Sequence, residues 1–146
     1  MGIQKIDSFR DEYFFLSNFY EADLEYDGIL YHSSEAAFQA QKCADRARRE
    51  QFADLSPSQS KHRGREVSLR PDWEQVKVRV MKEIVYAKFS QNEELKEKLL
   101  ATGDAYLEEG NDWGDRIWGT VDGKGQNLLG GILMEVRELL EARISE

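Results

Sequence analysis

Two long segments with apolar residues at helical spacing constrain this fold more than any other feature of the sequence. Between residues 72 and 89, apolar side chains recur every three or four positions, which places them on one face of a helix. That stripe consists of Trp73, Val76, Val80 and Ile84. A second helix is predicted over residues 127–143, with Leu129, Ile132, Leu133, Val136, Leu139 and Leu140 on its buried side.

Shorter elements are predicted around these two helices. Asp27-Gly28 separates two short segments, 23–26 and 29–31, and Asp-Gly at such a position is typical of a two-residue hairpin turn. Another strand is predicted near 106–109. Further helices are expected over 35–44, after a cap at Ser33 or Ser34, and over 46–53, 57–64 and 92–101.

The order of these elements indicates the fold class. Strands do not alternate with helices, so a doubly wound parallel sheet is not expected. The 146 residues fit one domain. The sequence therefore predicts a single α+β domain over residues 1–146, dominated by helices and carrying a few short antiparallel strands.

The charge distribution narrows the class of partner. The formal net charge is −8, which repels nucleic-acid phosphates over long range and predicts no stable nucleic-acid partner. Residues 46–70 nevertheless contain seven Lys or Arg against three Asp or Glu. This basic segment is either a solvated helical face or a compact anion site suited to one or two phosphates.

The absence of long apolar runs and of metal-ligand patterns determines what we expect for location, cofactor and metal. No apolar run approaches the ~20 residues that span a bilayer, and the N-terminus lacks a signal-peptide pattern, so a cytoplasmic protein without a membrane partner is expected. Cys43 is the single cysteine, which is more typical of a small buried residue than of an activated thiolate. His32 and His62 stand in no ligand pattern, and we predict neither a metal nor a cofactor.

A glycine-rich stretch near the last helix does not form a known nucleotide loop. In Gly123-Lys124-Gly125 the lysine is followed by glycine, whereas the P-loop requires Ser or Thr at that position. Gly130-Gly131 is better explained by close helix packing.

One predicted helix face carries chemically useful groups. Glu35, Phe38, Gln39 and Lys42 lie at positions i, i+3, i+4 and i+7, so a carboxylate, an aromatic ring, an amide and an amine share that face. The alternative is structural: Phe38 belongs to the core, and Glu35 favours the positive end of the helix dipole.

These residues belong to a longer series of motifs that resembles the NADAR (YbiA-like) family over nearly the whole chain. The series comprises Phe-Leu-Ser-Asn-Phe-Tyr at 15–20, Ser-Glu-x-x-Phe-Gln-Ala-x-Lys at 34–42, Gly-Arg at 64–65, Asp-Trp at 72–73, Val-Met at 80–81, Lys-Phe at 88–89, Thr-Gly at 102–103, Asp-x-x-Trp-Gly at 115–119, Gly-x-Asn-x-Leu-Gly at 125–130 and Ile-Leu-Met-x-Val-Arg at 132–137. One position departs from the family pattern, since Ala36 stands where the family usually has His.

The resemblance implies an N-glycosidase. Its substrates would be ribosylamino-pyrimidine phosphates of riboflavin synthesis, or ADP-ribose attached to guanine in a nucleotide or nucleic acid. Glu35 and Asp115 would stabilise the developing sugar cation and move protons. Lys42 would displace the base through a Schiff base if its pKa is lowered.

The same resemblance places substrate-binding residues. Trp73 and Trp118 offer flat faces for the base, although Trp73 also fits a core role. Arg65 would bind phosphate. The remaining candidates for ribose or phosphate contacts are Ser17, Asn18 and Phe19.

Two other classes of function compete with catalysis. The chain could be a non-catalytic module that senses ADP-ribose or NAD, in which case the amine of Lys42 would have no role. A purely structural interaction protein would leave the polar loop 110–126 unexplained.

Overall fold

The computed structural model describes residues 3–144, so residues 1–2 and 145–146 of the expected domain lie outside the described part. It contains two compact units. The central unit comprises Asn18–Asn92, and the terminal unit combines the residues up to Ser17 with those from Glu93 onwards. The expectation that the whole chain forms one domain stays a prediction.

Helices dominate the described residues, as the sequence predicts. The elements are strand β1 (Lys5–Ile6), a 3₁₀ helix (Asp11–Leu16), strands β2 (Glu21–Tyr26) and β3 (Ile29–Ser33), helices α1 (Ser34–Ala40), α2 (Arg46–Glu50), α3 (Pro57–Gly64), α4 (Trp73–Gln91) and α5 (Glu93–Ala101), strand β4 (Tyr106–Leu107) and helix α6 (Leu128–Ile144). The 3₁₀ helix was not predicted. None of these helices combines the length and apolar character needed to span a bilayer.

The central unit begins with the expected β-hairpin. Strands β2 and β3 are antiparallel, with Leu24 opposite Tyr31. Asp27 and Gly28 form the turn at φ values of 52° and 81°, the left-handed conformation that a two-residue hairpin requires. The Arg46 guanidinium donates to both turn carbonyls, at 2.9 Å and 3.2 Å, which fixes the turn against the start of α2.

Side-chain caps set the starts of the short helices. The Ser33 hydroxyl accepts a hydrogen bond from the Ala36 N–H at 3.0 Å, so Ser33 is the cap that begins α1. Ser56 and Gln59 form a reciprocal capping box at the start of α3. Both helices therefore start where the sequence predicts.

Helix α1 is shorter than predicted. It ends at Ala40, four residues before the expected end, and the chain continues in tight turns in which the N–H of Lys42 donates to the carbonyl of Gln39 at 3.2 Å. Helix α2 likewise ends at Glu50 and not at residue 53. Both ends turn through i→i−3 hydrogen bonds, and residue propensity does not distinguish such turns from a helix.

The long helix α4 forms the core of the central unit. Its buried residues include Trp73, Val80, Met81 and Ile84, whereas Val76 is half-buried, so three of the four stripe residues are confirmed as buried. Helix α4 packs against strand β2 and helix α1, and α1 also packs against α3. This places the motif residues of α1 between two other helices.

The terminal unit pairs its two short strands in parallel. Lys5 lies opposite Tyr106, and Ile6 opposite Leu107. The prediction of antiparallel strands alone is therefore wrong for this pair, and β4 ends at Leu107 and not at residue 109. No turn signal accompanies such a pairing, because the partners are far apart in sequence.

Helix α6 packs against β4 and α5 within the terminal unit. Gly130 accounts for the close contact, because a Cβ atom there would overlap the Leu107 carbonyl oxygen. Gly131 faces open space. Close packing therefore explains the first glycine of the pair and not the second.

Candidate active site

Glu35 lies in the first turn of α1 and is 7% exposed. Its backbone N–H donates to the Asn18 carbonyl at 3.1 Å. Its Oε2 accepts a hydrogen bond of 2.7 Å from the Gln39 side-chain amide. The site thus contains a buried carboxylate with a fixed orientation.

Lys42 follows α1 in the tight turns after the helix, so the predicted single helix face ends before it. The side chain is half-buried. Burial is the main cause that lowers the pKa of Lys42, the nearby Arg65 cation lowers it further, and the Glu35 carboxylate opposes both. Lys42, Glu35 and Arg65 are therefore electrostatically coupled, and the amine loses its proton more readily than a solvated lysine.

Arg65 caps the C-terminal end of α3 and is exposed. It forms no salt bridge with an acidic side chain among residues 3–144. Other basic residues of the segment 46–70 have structural partners: Arg46 and Arg49 bind the hairpin turn, Arg48 pairs with Asp45, and Arg70 pairs with Asp72. The segment is thus mostly structural, and Arg65 remains a candidate for anion binding.

Asn18 connects the motif at 15–20 to the start of α1. Its Oδ1 accepts a hydrogen bond of 2.8 Å from the Ser34 hydroxyl, and its Nδ2 lies 3.5 Å from the Met81 sulfur. The side chain is 9% exposed. These bonds give Asn18 a structural role, and its predicted contact with ribose or phosphate stays a prediction.

Ser17 and Phe19 flank this asparagine. The Ser17 N–H donates to the Phe14 carbonyl at 2.9 Å and closes the 3₁₀ helix of the terminal unit. Phe19 belongs to the central unit and is half-buried, with the Lys61 ammonium 5.7 Å from its ring centroid. Its contact with a ligand stays a prediction.

Trp73 has the environment of a core residue. It is 5% exposed, and its ring lies 5.1 Å from that of Phe38 at an interplanar angle of 52°. Such burial favours the packing role. Stacking of a base on Trp73 stays a prediction.

Asp115 lies in the long loop of the terminal unit, where it organises the turn that carries Trp118. Its Oδ1 accepts hydrogen bonds from the backbone N–H groups of Ile117 at 3.0 Å and Trp118 at 2.9 Å. Both Asp115 and Trp118 are half-buried. The carboxylate therefore has a structural function in addition to its predicted catalytic one.

Two asparagines hold this loop: Asn111, which sequence reasoning missed, and Asn127, which it named only as a motif position. Asn111 accepts from the N–H groups of Trp113 and Asp115 and donates to the Asp115 carbonyl at 2.9 Å. Asn127 donates to the Leu107 carbonyl and accepts from the Glu109 N–H, both at 2.9 Å. In the sequence, an Asn within a Gly-rich segment is the signal that would have indicated their role.

Two alternative sites considered from sequence are not supported by the geometry. Val121 and Lys124 exchange backbone hydrogen bonds at 2.9 Å and 3.0 Å, so Gly123 lies in a closed turn and not in a phosphate cradle. Cys43 is buried, and burial raises the pKa of its thiol. A reactive thiolate is therefore disfavoured, as the sequence indicated.

The predicted site residues are thus distributed over both units. Glu35, Lys42 and Arg65 lie in the central unit and interact electrostatically. Asp115 and Trp118 lie in the terminal unit and share one turn.

Comparisons with known proteins match the chain to one family and to similar sequences. The family model of the NADAR domain matches residues 6–141. The N-glycosidase YbiA of Escherichia coli (strain K12) is 43% identical over 137 residues, which cover 91% of this chain and 85% of YbiA. A riboflavin biosynthesis protein of Vibrio vulnificus (strain YJ016) is 42% identical over 131 residues, or 87% of this chain and 35% of that protein.

The fold has a solved counterpart. The NMR structure of Escherichia coli YbiA superposes with a TM-score of 0.88 at 40% sequence identity, covering 100% of this chain and 90% of the other. The helix-dominated α+β class is therefore confirmed, and so is the family resemblance read from the motifs.

Proposed function

The chain belongs to the NADAR domain family, and we propose that it is an N-glycosidase that hydrolyses the C1′–N bond between a phosphorylated ribose and a nitrogen base. The observation that carries this proposal is the buried Glu35 carboxylate, which acts electrostatically on the half-buried Lys42 amine, whose pKa is lowered mainly by burial. Relatives named as N-glycosidases and as a riboflavin biosynthesis protein support the same activity.

The chemistry uses the amine as a nucleophile. When ribose is joined through an amino nitrogen, the C1′–O4′ bond can open to an imine, and the neutral Lys42 amine adds to C1′. The base then leaves as a free amine after proton transfer to its nitrogen, and a Schiff base joins Lys42 to C1′. Water adds to C1′, the Lys42 amine is expelled, and the sugar aldehyde closes again, so each turnover consumes one water molecule.

Glu35 would act next to this amine. Its carboxylate can stabilise positive charge that builds on the sugar and can transfer protons to or from the leaving base. Because the carboxylate is buried, its charge acts with less screening than at the surface.

The remaining residues would bind the substrate. Arg65, which is exposed at the end of α3, would bind the ribose phosphate. Within the terminal unit, Trp118 is the candidate for stacking on a base and Asp115 for a second carboxylate. Within the central unit, Phe19 is the candidate for apolar contact. Trp73 is buried, so we assign it mainly to packing.

Two substrate classes are compatible with the proposed chemistry, ribosylamino-pyrimidine phosphates and ADP-ribose on guanine. The test is incubation of the purified chain with each class, followed by chromatography of the released base. Release from either one, lost in the Glu35→Gln variant, is the expected result.

A cytoplasmic location stays a prediction from the sequence.

A sensor that binds ADP-ribose without turnover is the competing function. It would need Arg65 and Trp118 but not an amine of lowered pKa next to a buried carboxylate. Tight binding of ADP-ribose with no base released from either substrate would favour the sensor and contradict our proposal.

A further inference from the structure

The amide side chain of Gln39 lies buried next to the Glu35 carboxylate. It is 7% exposed, and its Nε2 donates to Glu35 Oε2 at 2.7 Å. The two residues are four apart on α1, so the bond runs along one helix face. A hydrogen bond of this kind favours the ionised form of the carboxylate and fixes its rotamer.

Gly64 provides the space in which this amide fits. Helix α3 packs against α1, and a Cβ atom at position 64 would overlap the Oε1 and Cδ atoms of Gln39. Gly64 ends α3 with helical backbone and does not have a positive φ. The glycine is therefore required by space at the amide and not by its own conformation.

The orientation of Gln39 carries a cost within the central unit. Its Oε1 is buried and accepts no hydrogen bond among the described residues, and the Ser60 hydroxyl shares this condition. Ser60 precedes Gly64 by four residues, so both lie on the same face of α3. An unused buried acceptor destabilises the fold, and such a cost next to a candidate catalytic carboxylate is typical of a functional position.

From these contacts we infer that Gln39 is a positioning residue: its amide holds the Glu35 carboxylate in one orientation and favours its ionised form, and Gly64 is present to accommodate the amide. The inference rests on the proposed function for the part in which Glu35 acts on a sugar. An ionised, fixed carboxylate stabilises positive charge on the ribose without reorganising during the reaction. Lys42 interacts electrostatically with Glu35, and Arg65 acts in turn on Lys42.

Two variants change this contact from opposite sides. Gln39→Met keeps the length of the side chain and removes the donor. Gly64→Ala keeps the glutamine and displaces its amide end, because the added Cβ atom would overlap Oε1 and Cδ of Gln39. The matched controls are Gln75→Met, at an exposed position of α4, and Gly131→Ala, where an added Cβ atom meets nothing within 4 Å.

The first measurement does not require turnover. Side-chain carboxyl carbons of the glutamates are followed by NMR over a pH titration, and the Glu35 signal is assigned by its loss in Glu35→Gln. We expect the titration midpoint of Glu35 to rise by about one pH unit in both variants, since one hydrogen bond to the charged form is lost. Both controls should match the wild type.

The second measurement uses base release. In both variants kcat should fall by about 100-fold, as for a misplaced catalytic group, while KM changes by less than about threefold. The acid limb of the pH–rate profile should shift to higher pH by the same amount as the NMR midpoint. A Glu35 midpoint that is unchanged in either variant overturns the inference, even if stability falls. If the wild type releases no base, the proposed function fails, and the NMR titration still decides whether Gln39 positions Glu35.

Discussion

The carboxylate of Asp115 accepts a hydrogen bond of 2.9 Å from the backbone N–H of Trp118, and the same oxygen accepts one from Ile117. The proposed catalytic role and the turn-forming role of Asp115 therefore rest on one side chain. The two roles require different properties, because catalysis needs the negative charge whereas the turn needs only an acceptor oxygen.

Variants at position 115 separate these roles. Asp115→Asn keeps an acceptor for both N–H groups and removes the charge, so a catalytic Asp115 predicts that base release falls by at least about 100-fold with little change in stability. Asp115→Ala should lose the turn as well and lower the free energy of unfolding by about 1–3 kcal/mol. Near-normal kcat in Asp115→Asn would restrict the residue to the turn. Kinetics and urea unfolding of both variants provide the measurement.

Lys42 should be trapped by borohydride during turnover. Reduction of the Schiff base would add the mass of the sugar phosphate to this lysine, which peptide mass spectrometry locates. Lys42→Ala should abolish both the adduct and the release of base, whereas Lys96→Ala, on the surface of α5, should change neither. Full activity in Lys42→Ala would eliminate the imine route.

Buried Lys88 predicts how stability changes with pH. The side chain is 1% exposed, its ammonium lies 5.0 Å from the Phe89 ring centroid, and burial lowers its pKa to about 7 from the usual 10.5. Between these two values the unfolded chain holds the proton and the folded chain does not. The free energy of unfolding should therefore rise with pH across this range, by up to ~1.4 kcal/mol per pH unit from this group.

Lys88→Met is the matching variant, because methionine has similar length and no charge. It should remove this part of the pH dependence and be more stable than the wild type at pH 7 by a few kcal/mol, on the order of the difference in proton binding. Denaturant unfolding between pH 6 and 10 measures the difference. Parallel pH profiles for the two proteins would show that the Lys88 amine is charged in the folded state.

The two tryptophans of the family motifs should respond differently to substitution. Trp73→Phe shrinks a buried ring that packs on Phe38, so we expect lower stability by about 1–3 kcal/mol and an unchanged KM. Trp118→Ala should raise KM by roughly 5- to 100-fold, which corresponds to the loss of one stacked base. A raised KM in Trp73→Phe together with unchanged stability would contradict the packing role and indicate that Trp73 binds substrate.

Much of the fold could be predicted because local signals determine it. The hairpin follows from Asp27-Gly28, and the caps at Ser33 and Ser56 begin their helices. Periodicity identified α4 and α6. The parallel pair β1–β4 escaped prediction, because two strands of two residues carry no periodic pattern and no turn joins them.

The site was predicted less completely for a physical reason. Sequence motifs indicated Glu35 and Lys42, and the structure adds the burial and the charges that change the pKa of Lys42. Gln39 was seen only as one of four residues on a face, since its bond to Glu35 and its fit against Gly64 depend on how α3 packs. Interactions between elements of this kind cannot be derived from spacing along one helix.

The pairing of Lys5–Ile6 with Tyr106–Leu107 has a consequence for synthesis on the ribosome. All residues of the central unit have been translated before β4 exists, so its hairpin and helices can form while β1 still lacks its partner strand. The terminal unit must then close a loop of about a hundred residues, which is entropically slow compared with local contacts. Pairing of β1 with β4 should therefore occur only after residues 106–107 have emerged from the ribosome.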